Sequence, residues 1–222
     1  VVASYLQAAK PKSKVLVLDA NPEIQSKKAL FEKAFKDRYG GILEYRPNAE
    51  LKEVDVASGT ARLEFEDVKA DVLNVLPPMR AGNIATQNGL NNSNKRWCQI
   101  DWLTYESTAV KNVHILGDAL QIAPAMPKSG HMANQHAKVC AAAVIALLTG
   151  DVVNATPMVA NTCYSFISQS EVIHVAAVYR YDAEKKTMVA APGAGGLSAA
   201  PSVTEGLFAM SWANNIMNDT LG

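Results

Sequence analysis

The distribution of apolar residues along the chain predicts alternating helices and strands. Residues 14–18 (KVLVL) are an almost uninterrupted apolar run, as expected of a buried parallel strand. Residues 1–9 before it read as the end of a helix, which Pro11 stops because proline cannot continue the helical ladder. Residues 26–39 after it place apolar side chains at a helical period. This order is that of the second half of a βαβ dinucleotide-binding unit.

The next segment predicts an antiparallel meander followed by a return strand. Residues 42–45 form a short strand, and residues 50–66 alternate polar and apolar side chains around a Ser-Gly pair, as in a hairpin. Residues 69–76 (KADVLNVL) read as another buried strand, stopped by two prolines. A parallel start, a meander and a return strand together predict an α/β nucleotide-binding module of a flavoprotein that holds two dinucleotides.

The second half of the chain contains the clearest helical pattern. Residues 113–116 predict a strand that runs into Gly117-Asp118, and residues 129–148 predict a long helix that Ser129 caps. Beyond Pro157 the pattern becomes that of a small α+β unit. Its predicted parts are a strand that opens at Cys163, strands at 172–181 and 187–191, a Gly/Pro loop at 192–201 and a helix over 203–218.

Composition and charge narrow the possible functions. The 222 residues contain 21 Lys and Arg against 21 Asp and Glu, so the formal net charge is zero. No basic run offers the electrostatic footprint of a nucleic-acid-binding protein. The longest apolar run, near residues 139–148, is too short to span a bilayer. The three cysteines are an odd number, which does not fit the disulfide framework of a small secreted domain.

The first residues predict a truncated chain. The sequence opens at Val1 with no Met, no signal peptide and no N-cap before the first helical pattern. A whole βαβ unit would place its Gly-rich turn before residue 1. We therefore expect an N-terminal portion to be missing.

Two neighbouring elements offer groups that suit a cofactor. Asp118 follows a predicted parallel strand, where its carboxylate could accept hydrogen bonds from ribityl or ribose hydroxyls; an Asp that caps its own turn is the other interpretation. Residues 126–130 open the long helix, where free N–H groups and the charge of Lys128 favour an anion. Gly130 leaves room for a planar ring, although a well-capped core helix explains the same residues.

The spacing of the cysteines and histidines does not by itself identify a functional site. Cys163 suits either a redox role or a small buried apolar residue, and spacing does not decide between them. His131 and His136 are five residues apart rather than four, so they do not form the helical pair that converges on a metal ion. No metal site is therefore predicted.

With these segments placed, the chain resembles the flavoprotein subunits of flavocytochrome c sulfide dehydrogenases, relatives of sulfide:quinone reductase and of the pyridine nucleotide-disulfide reductases. The matching stretches include SKVLVLDAN (13–21), ADVLNVLPPMRAG (70–82), HILGDA (114–119), MPKSGHMAN (126–134), NTCYS (161–165) and SWANNIMNDTLG (211–222). The resemblance implies the C-terminal portion of a glutathione-reductase-like fold. Residues 1–80 would be the back half of the NAD-binding-like domain, residues 81–153 the returning segment of the FAD-binding domain, and residues 154–222 a small α+β interface domain.

The resemblance also implies roles for named residues. Gly117 and Asp118 match the element that holds the FAD ribityl chain. Pro127, Lys128 and Ser129 match the helix start beside the flavin pyrimidine edge, next to Gly130. Cys163 matches one half of a redox-active disulfide.

The implied reaction is the oxidation of sulfide. Sulfide would attack the disulfide, and the electrons would pass through FAD to a c-type cytochrome subunit in the periplasm. Trp212 matches a C-terminal segment directed to the flavin or the haem subunit; burial in the core is its other interpretation. The family's partner cysteine, its covalent flavin-attachment cysteine and its Gly-rich FAD loop would all precede residue 1. We therefore expect the chain alone to be inactive and to bind FAD weakly or not at all.

Two alternative functions stay open. Another disulfide-reductase-like flavoprotein could use a quinone or NAD(P)H, although the polar residues Asn214, Asn215 and Asn218 make the last helix unsuited to entering a membrane. A non-catalytic module that docks a cytochrome is the alternative from a different class.

Overall fold

The computed structural model describes residues 1–222 as a mixture of helices and small sheets. The elements are α1 (Val2–Ala9), β1 (Val15–Leu18), α2 (Lys28–Tyr39), β2 (Leu43–Arg46), β3 (Leu51–Asp55), β4 (Thr60–Leu63), β5 (Asp67–Lys69), α3 (Asn83–Gln87), a 3-10 turn (Gly117–Ala119), α4 (Gly130–Thr149), β6 (Met158–Phe166), β7 (Val172–Asp182), β8 (Thr187–Leu197) and α5 (Val203–Leu221). None of the helices combines the length and the apolar character that a membrane-spanning segment requires.

Three sheets contain the eight strands. β1 and β2 form a parallel pair in which Val15 lies opposite Leu43. β3, β4 and β5 form an antiparallel meander, with Asp55 opposite Thr60 across the first turn. The third sheet has the order β6-β7-β8. The parallel pair joined through α2 and the antiparallel meander are both as the sequence predicts.

The first of two compact units combines residues 1–77, 164–174 and 197–210. Its core is Ala3, Ala34, Tyr39, Ile42, Ile167 and Ile173. The hydroxyl of Tyr39 donates to the carbonyl of Ile167 at 2.7 Å, and Arg38 forms a two-pronged ion pair with Glu171. These contacts attach α2 to the segment between β6 and β7, so residues distant in sequence complete one core.

The second unit combines residues 78–163, 175–196 and 211–222. Its largest core cluster is Ile100, Trp102, Tyr105, Leu120, Ala123, Met132, Cys140, Val159, Tyr179 and Met188. Met132 and Cys140 come from α4, which buries one face in this core. The predicted helix over 129–148 is therefore confirmed, and Gly150 ends it in the left-handed conformation at φ 76°.

Two predicted strands are wrong because their residues find no partner strand. Of residues 69–76, Lys69 ends β5, and residues 70–76 beyond it form no strand, with Val72 and Leu76 exposed. Residues 113–116 make a single bridge, between His114 and Glu106. Asn112 and Gly117 bound that segment with φ of 61° and 73°, and such left-handed residues break an extended ladder.

Two further predictions about the last sheet are also wrong. Residues 192–197 continue β8, although the sequence predicts a loop there. Gly195 makes this possible because a Cβ at that position would lie 2.3 Å from the carbonyl oxygen of Ala176. Cys163 lies in the interior of β6, which begins at Met158, rather than at the opening of a strand.

Candidate functional site

The start of α4 is an open, well-capped helix end. Ser129 has extended backbone, and its hydroxyl accepts the N–H of Met132 at 3.1 Å. The same hydroxyl donates to Oδ1 of Asn161 at 2.7 Å, which attaches the cap to β6. A Cβ at Gly130 would meet nothing within 4 Å. The first turn of α4 therefore leaves unpaired N–H groups and space beside them, which favour an anionic or electron-rich group.

The Gly117-Asp118 turn packs against the same helix. Gly117 is buried with φ 73°, and its N–H donates to Nδ1 of His136 at 3.3 Å. A Cβ at Gly117 would lie 3.2 Å from the Cβ of Ala133, so a larger residue would push the turn off the helix. This contact holds the exposed Asp118 near the start of α4.

Lys128 links the turn to the helix. Its ammonium donates to the carbonyl oxygens of Asp118, at 2.9 Å, and of Leu120. It also lies 3.9 Å from the ring centroid of Trp97, a cation–π distance. Burial lowers the pKa of Lys128, while the nearby charge of Asp118 acts in the opposite direction.

A cavity of about 350 Å³ opens between these elements. Its walls are Met79, Trp97, Gly117, Asp118, Leu120, Gln121, Ile122, Ala123, Met126, Pro127, Lys128, Met132 and His136. Most of the wall is apolar, and Asp118 and Lys128 contribute the charges. Such a lining suits an organic group that carries a few polar atoms.

Two buried polar atoms of this wall have no hydrogen-bond partner. They are Nε1 of Trp97 and Nε2 of His136. Burial lowers the pKa of His136 to about 4, so its ring is neutral at ordinary pH. Because Nδ1 accepts from Gly117, the proton of the neutral ring belongs on Nε2. A buried donor left without an acceptor costs about 1–3 kcal/mol.

Cys163 lies where β6 is attached to the start of α4. Two contacts make this attachment: Ser129 with Asn161, and Nδ1 of His131 with the N–H of Thr162 at 3.0 Å. Asn161 and Thr162 immediately precede Cys163, which is exposed. Cys163 therefore follows the two residues that attach β6 to the helix end, and its side chain is exposed rather than in the core.

The other two cysteines occupy a different environment. Cys98 has no exposed surface and Cys140 is 7% exposed. Burial raises the pKa of both thiols, which disfavours their thiolates. Of the three cysteines, Cys163 is the one that a dissolved nucleophile can reach.

Trp212 lies against the first turn of α4. Its ring packs edge-on to His131 with centroids 5.4 Å apart. Further along α5, Asp219 accepts from the amide of Asn134 at 2.7 Å and pairs with Lys138 at 2.8 Å. The last part of α5 is thus fixed along α4, and Trp212 is half-buried rather than part of the core.

The structure brings most of the sequence-predicted site residues together. Four of them line one cavity, namely Gly117, Asp118, Pro127 and Lys128. Ser129 and Gly130 form the adjacent helix start. Sequence reasoning missed three residues of this region, namely Trp97, His131 and His136. Spacing gave no signal for them, because their contacts depend on packing between segments.

Comparison with known families places the chain in a class and then in a family. Residues 155–221 match the family model described as "Flavocytochrome c sulphide dehydrogenase, flavin-binding", which makes the protein a flavoprotein. Residues 1–77 match the model described as "Sulfide dehydrogenase [flavocytochrome c] flavoprotein chain, central". The chain therefore belongs to the flavoprotein chains of flavocytochrome c sulfide dehydrogenase, an oxidoreductase family.

A solved structure shares part of the fold. It is a chain in the cryo-EM structure of the Tetrahymena thermophila mitochondrial ATP synthase, an F1Fo composite tetramer. The likeness covers 78% of this chain at 21% sequence identity, with a TM-score of 0.56. This chain spans 42% of the length of that one. At this identity the likeness concerns the fold alone.

Proposed function

We propose that this chain takes part in the FAD-dependent oxidation of sulfide through a redox-active cysteine pair, with the electrons delivered to a c-type cytochrome in the periplasm. One observation carries the proposal. The residues that precede the exposed Cys163 are bonded to the first turn of α4, and that turn adjoins the cavity lined by Asp118 and Lys128. An exposed thiol and a cavity of about 350 Å³ thus lie near the same helix end.

The proposed FAD-holding residues are the ones around this cavity. Gly117 and Asp118 would face the ribityl chain, where the carboxylate accepts hydrogen bonds from hydroxyl groups. Pro127, Lys128, Ser129 and Gly130 would face the flavin ring from the helix start. When bound, the flavin supplies a centre that takes up electrons in pairs and releases them singly.

The start of α4 and Lys128 would stabilise negative charge on the bound ring. Each of these groups presents positive potential, from unpaired N–H groups and from an ammonium respectively. The partial burial of Lys128 strengthens its interaction with any anionic group in the cavity, because burial reduces solvent screening. Electrostatic stabilisation of the reduced cofactor is therefore the proposed task of this helix end.

Cys163 would supply one sulfur of the redox-active pair. Hydrosulfide attacks one sulfur of the disulfide, a new S–S bond forms, the old one breaks, and the second cysteine leaves as a thiolate. We assign that second cysteine to neither Cys98 nor Cys140, because both are buried.

The remaining parts of the proposal concern the division of the chain and its partner. Residues 1–80, 81–153 and 154–222 would be parts of an NAD-binding-like, an FAD-binding and an interface domain, the first two being remnants of dinucleotide domains. Trp212, half-buried on α5, would lie toward the cytochrome. By itself, without the cytochrome and the second cysteine, the chain would be inactive and would bind FAD weakly.

Sulfide-dependent reduction of cytochrome c by the FAD-loaded complex tests the proposal. Cys163→Ser is expected to lower the rate by at least about a hundredfold, because a hydroxyl cannot form the disulfide. Cys140→Ser is the matched control and is expected to keep the rate. Full activity of the Cys163→Ser protein would refute the catalytic role and leave a docking module as the better description.

A further inference from the structure

We propose that the exposed face of α5 pairs two copies of this chain through a short parallel coiled coil. This face, called the α5 stripe below, consists of Val203, Leu207, Met210, Asn214, Met217 and Leu221. The inference does not depend on the proposed function, because no residue of the stripe lines the proposed flavin cavity.

The α5 stripe has the spacing of a coiled-coil seam. Its members follow one another at intervals of four, three, four, three and four residues, which is the a/d pattern of a seven-residue repeat. Leu207, Asn214 and Leu221 then occupy a positions, and the other three residues occupy d positions. Two helices with seams of this spacing can pack against each other along their length, each side chain fitting between side chains of the other helix.

The apolar residues of the α5 stripe are not covered by the rest of the chain. Their exposed fractions lie between 54% for Val203 and 75% for Leu221. α5 packs on the chain through its other side, where Gly206 and Ala209 are buried and Trp212 is half-buried. Since a surface helix ordinarily turns its apolar stripe to the core and its polar residues outward, the exposed stripe indicates a second helix.

The charges of α5 favour another helix over a lipid surface. α5 contains no lysine or arginine. Its two acids are engaged within the chain, because Glu205 accepts from Ser198 and Asp219 pairs with Lys138. A helix that lies on a membrane carries Lys and Arg on its polar face, which α5 lacks. The flanks of the stripe therefore offer no attraction to anionic lipid and no charge that would repel an identical helix.

Asn214 indicates that the partner is a second copy in parallel orientation. A single Asn at an a position of an otherwise apolar seam favours a two-stranded parallel pair, because its amide can hydrogen-bond to the same amide of the other helix. In an antiparallel pair centred on the stripe, Asn214 would lie opposite Met210 and lose that partner. A parallel pair has a two-fold axis along the seam, so the same surface serves both copies.

The area of the α5 stripe sets the strength of the pair. Its apolar residues expose roughly 500 Å² per copy, against about 800 Å² per partner in a stable complex. The 19 residues of α5 also supply fewer than three heptads. We therefore expect a reversible dimer with a Kd on the order of 10–100 μM.

Sedimentation equilibrium of the whole chain, from about 5 to about 500 μM under reducing conditions, tests the inference. The average mass is expected to rise from 23.8 kDa toward twice that value. Leu207→Glu places two like charges in the seam and is expected to stay monomeric. Phe208→Glu is the matched control, because Phe208 is 57% exposed but lies outside the stripe, and it should dimerise as the unaltered chain does. Thermal unfolding identifies any variant that fails to fold.

Disulfide cross-linking tests the orientation of the two helices. In a Cys163→Ser background, oxidised Asn214→Cys is expected to form a covalent dimer, because equivalent a positions face each other in a parallel pair. Asn215→Cys, one residue outside the stripe, is expected to remain monomeric.

Three results would overturn the inference. They are an unaltered chain that stays monomeric at about 500 μM, equal dimerisation of the two folded Glu variants, and equal cross-linking at positions 214 and 215. If the chain is monomeric in solution but co-sediments with vesicles of phosphatidylcholine and phosphatidylglycerol, the stripe is a lipid-binding face and the proposed dimer is wrong.

Discussion

The imidazole Nδ1 of His131 accepts the backbone N–H of Thr162 at 3.0 Å, across 31 residues of sequence. This bond joins the first turn of α4 to the residue that precedes Cys163. Burial lowers the pKa of His131, so the ring is neutral and its Nδ1 stays available as an acceptor. The position of Cys163 therefore depends on a histidine outside its own strand.

Replacing His131 by Ala is expected to free the backbone of β6 beside Cys163. Amide hydrogen exchange at Thr162 should become about tenfold faster, because a partly buried N–H loses its acceptor. His131→Asn, whose side-chain oxygen replaces Nδ1, should keep the slow exchange. His114→Ala removes a comparable histidine–backbone contact, with the carbonyl of Thr104, and should leave Thr162 unaffected. Equal exchange rates at Thr162 in all four proteins would contradict this role of His131.

Ser129 is expected to contribute to stability through two contacts of one hydroxyl. Ser129→Ala loses both the helix cap and the bond to Asn161, and should lower the free energy of unfolding by about 1–2 kcal/mol. Urea denaturation of the chain measures this change. Ser129→Thr retains a hydroxyl and should recover most of the loss; a stability of Ser129→Ala equal to that of the unaltered chain would exclude the capping role.

His136 makes stability depend on pH in a predictable direction. Its pKa is lowered from 6.5 to about 4 by burial, so the unfolded chain binds this proton more readily. The contribution of His136 to the free energy of unfolding is therefore largest above pH about 6.5. It falls by about 2–3 kcal/mol as the pH decreases toward 4.

Urea denaturation at several pH values, with His136→Gln as the comparison, isolates this contribution. The difference in unfolding free energy between the two proteins should shrink as the pH falls from 6.5 to 4. Parallel pH profiles would show that His136 titrates normally in the folded state.

Gly206 is expected to be required where α5 packs against the backbone at Ser170. A Cβ at Gly206 would lie 2.1 Å from the carbonyl oxygen of Ser170, so Gly206→Ala must displace the helix or the loop. We expect a loss of about 1–3 kcal/mol, although alanine has the better helix propensity. Gly130→Ala, at the open start of α4, is the matched control and should leave thermal stability unchanged or slightly raised. Equal melting temperatures for the two variants would contradict the close approach.

Elements with local signals were predictable from the sequence. Ser129 and Gly150 mark the two ends of α4, and the periodic apolar positions between them require no information from other segments. The hairpin of β3 and β4 is likewise encoded by alternation and a turn. In contrast, residues 69–76 have a strand-like composition, but only Lys69 has a partner on a neighbouring strand. A strand exists only where its hydrogen bonds are paired.

The candidate site was predictable only in part. Gly117-Asp118 and the helix start at Ser129 are close in sequence, so one loop brings them together. Trp97 reaches the same cavity from an earlier segment, and His136 turns back from the second turn of α4 to Gly117. Such placements follow from how the core packs, which periodicity and spacing do not encode.

The first compact unit is assembled from segments that are far apart in sequence, and this has a consequence for folding. Residues 1–77 depend for their core on Ile167 and Ile173, and Arg38 and Glu171, which pair, are 133 residues apart in sequence. During synthesis α1, β1 and α2 therefore leave the ribosome long before the segment that covers them. Closing such a long loop is slow, and the exposed apolar surface is open to wrong contacts in the meantime. The early part of this chain is thus the part most in need of chaperone protection.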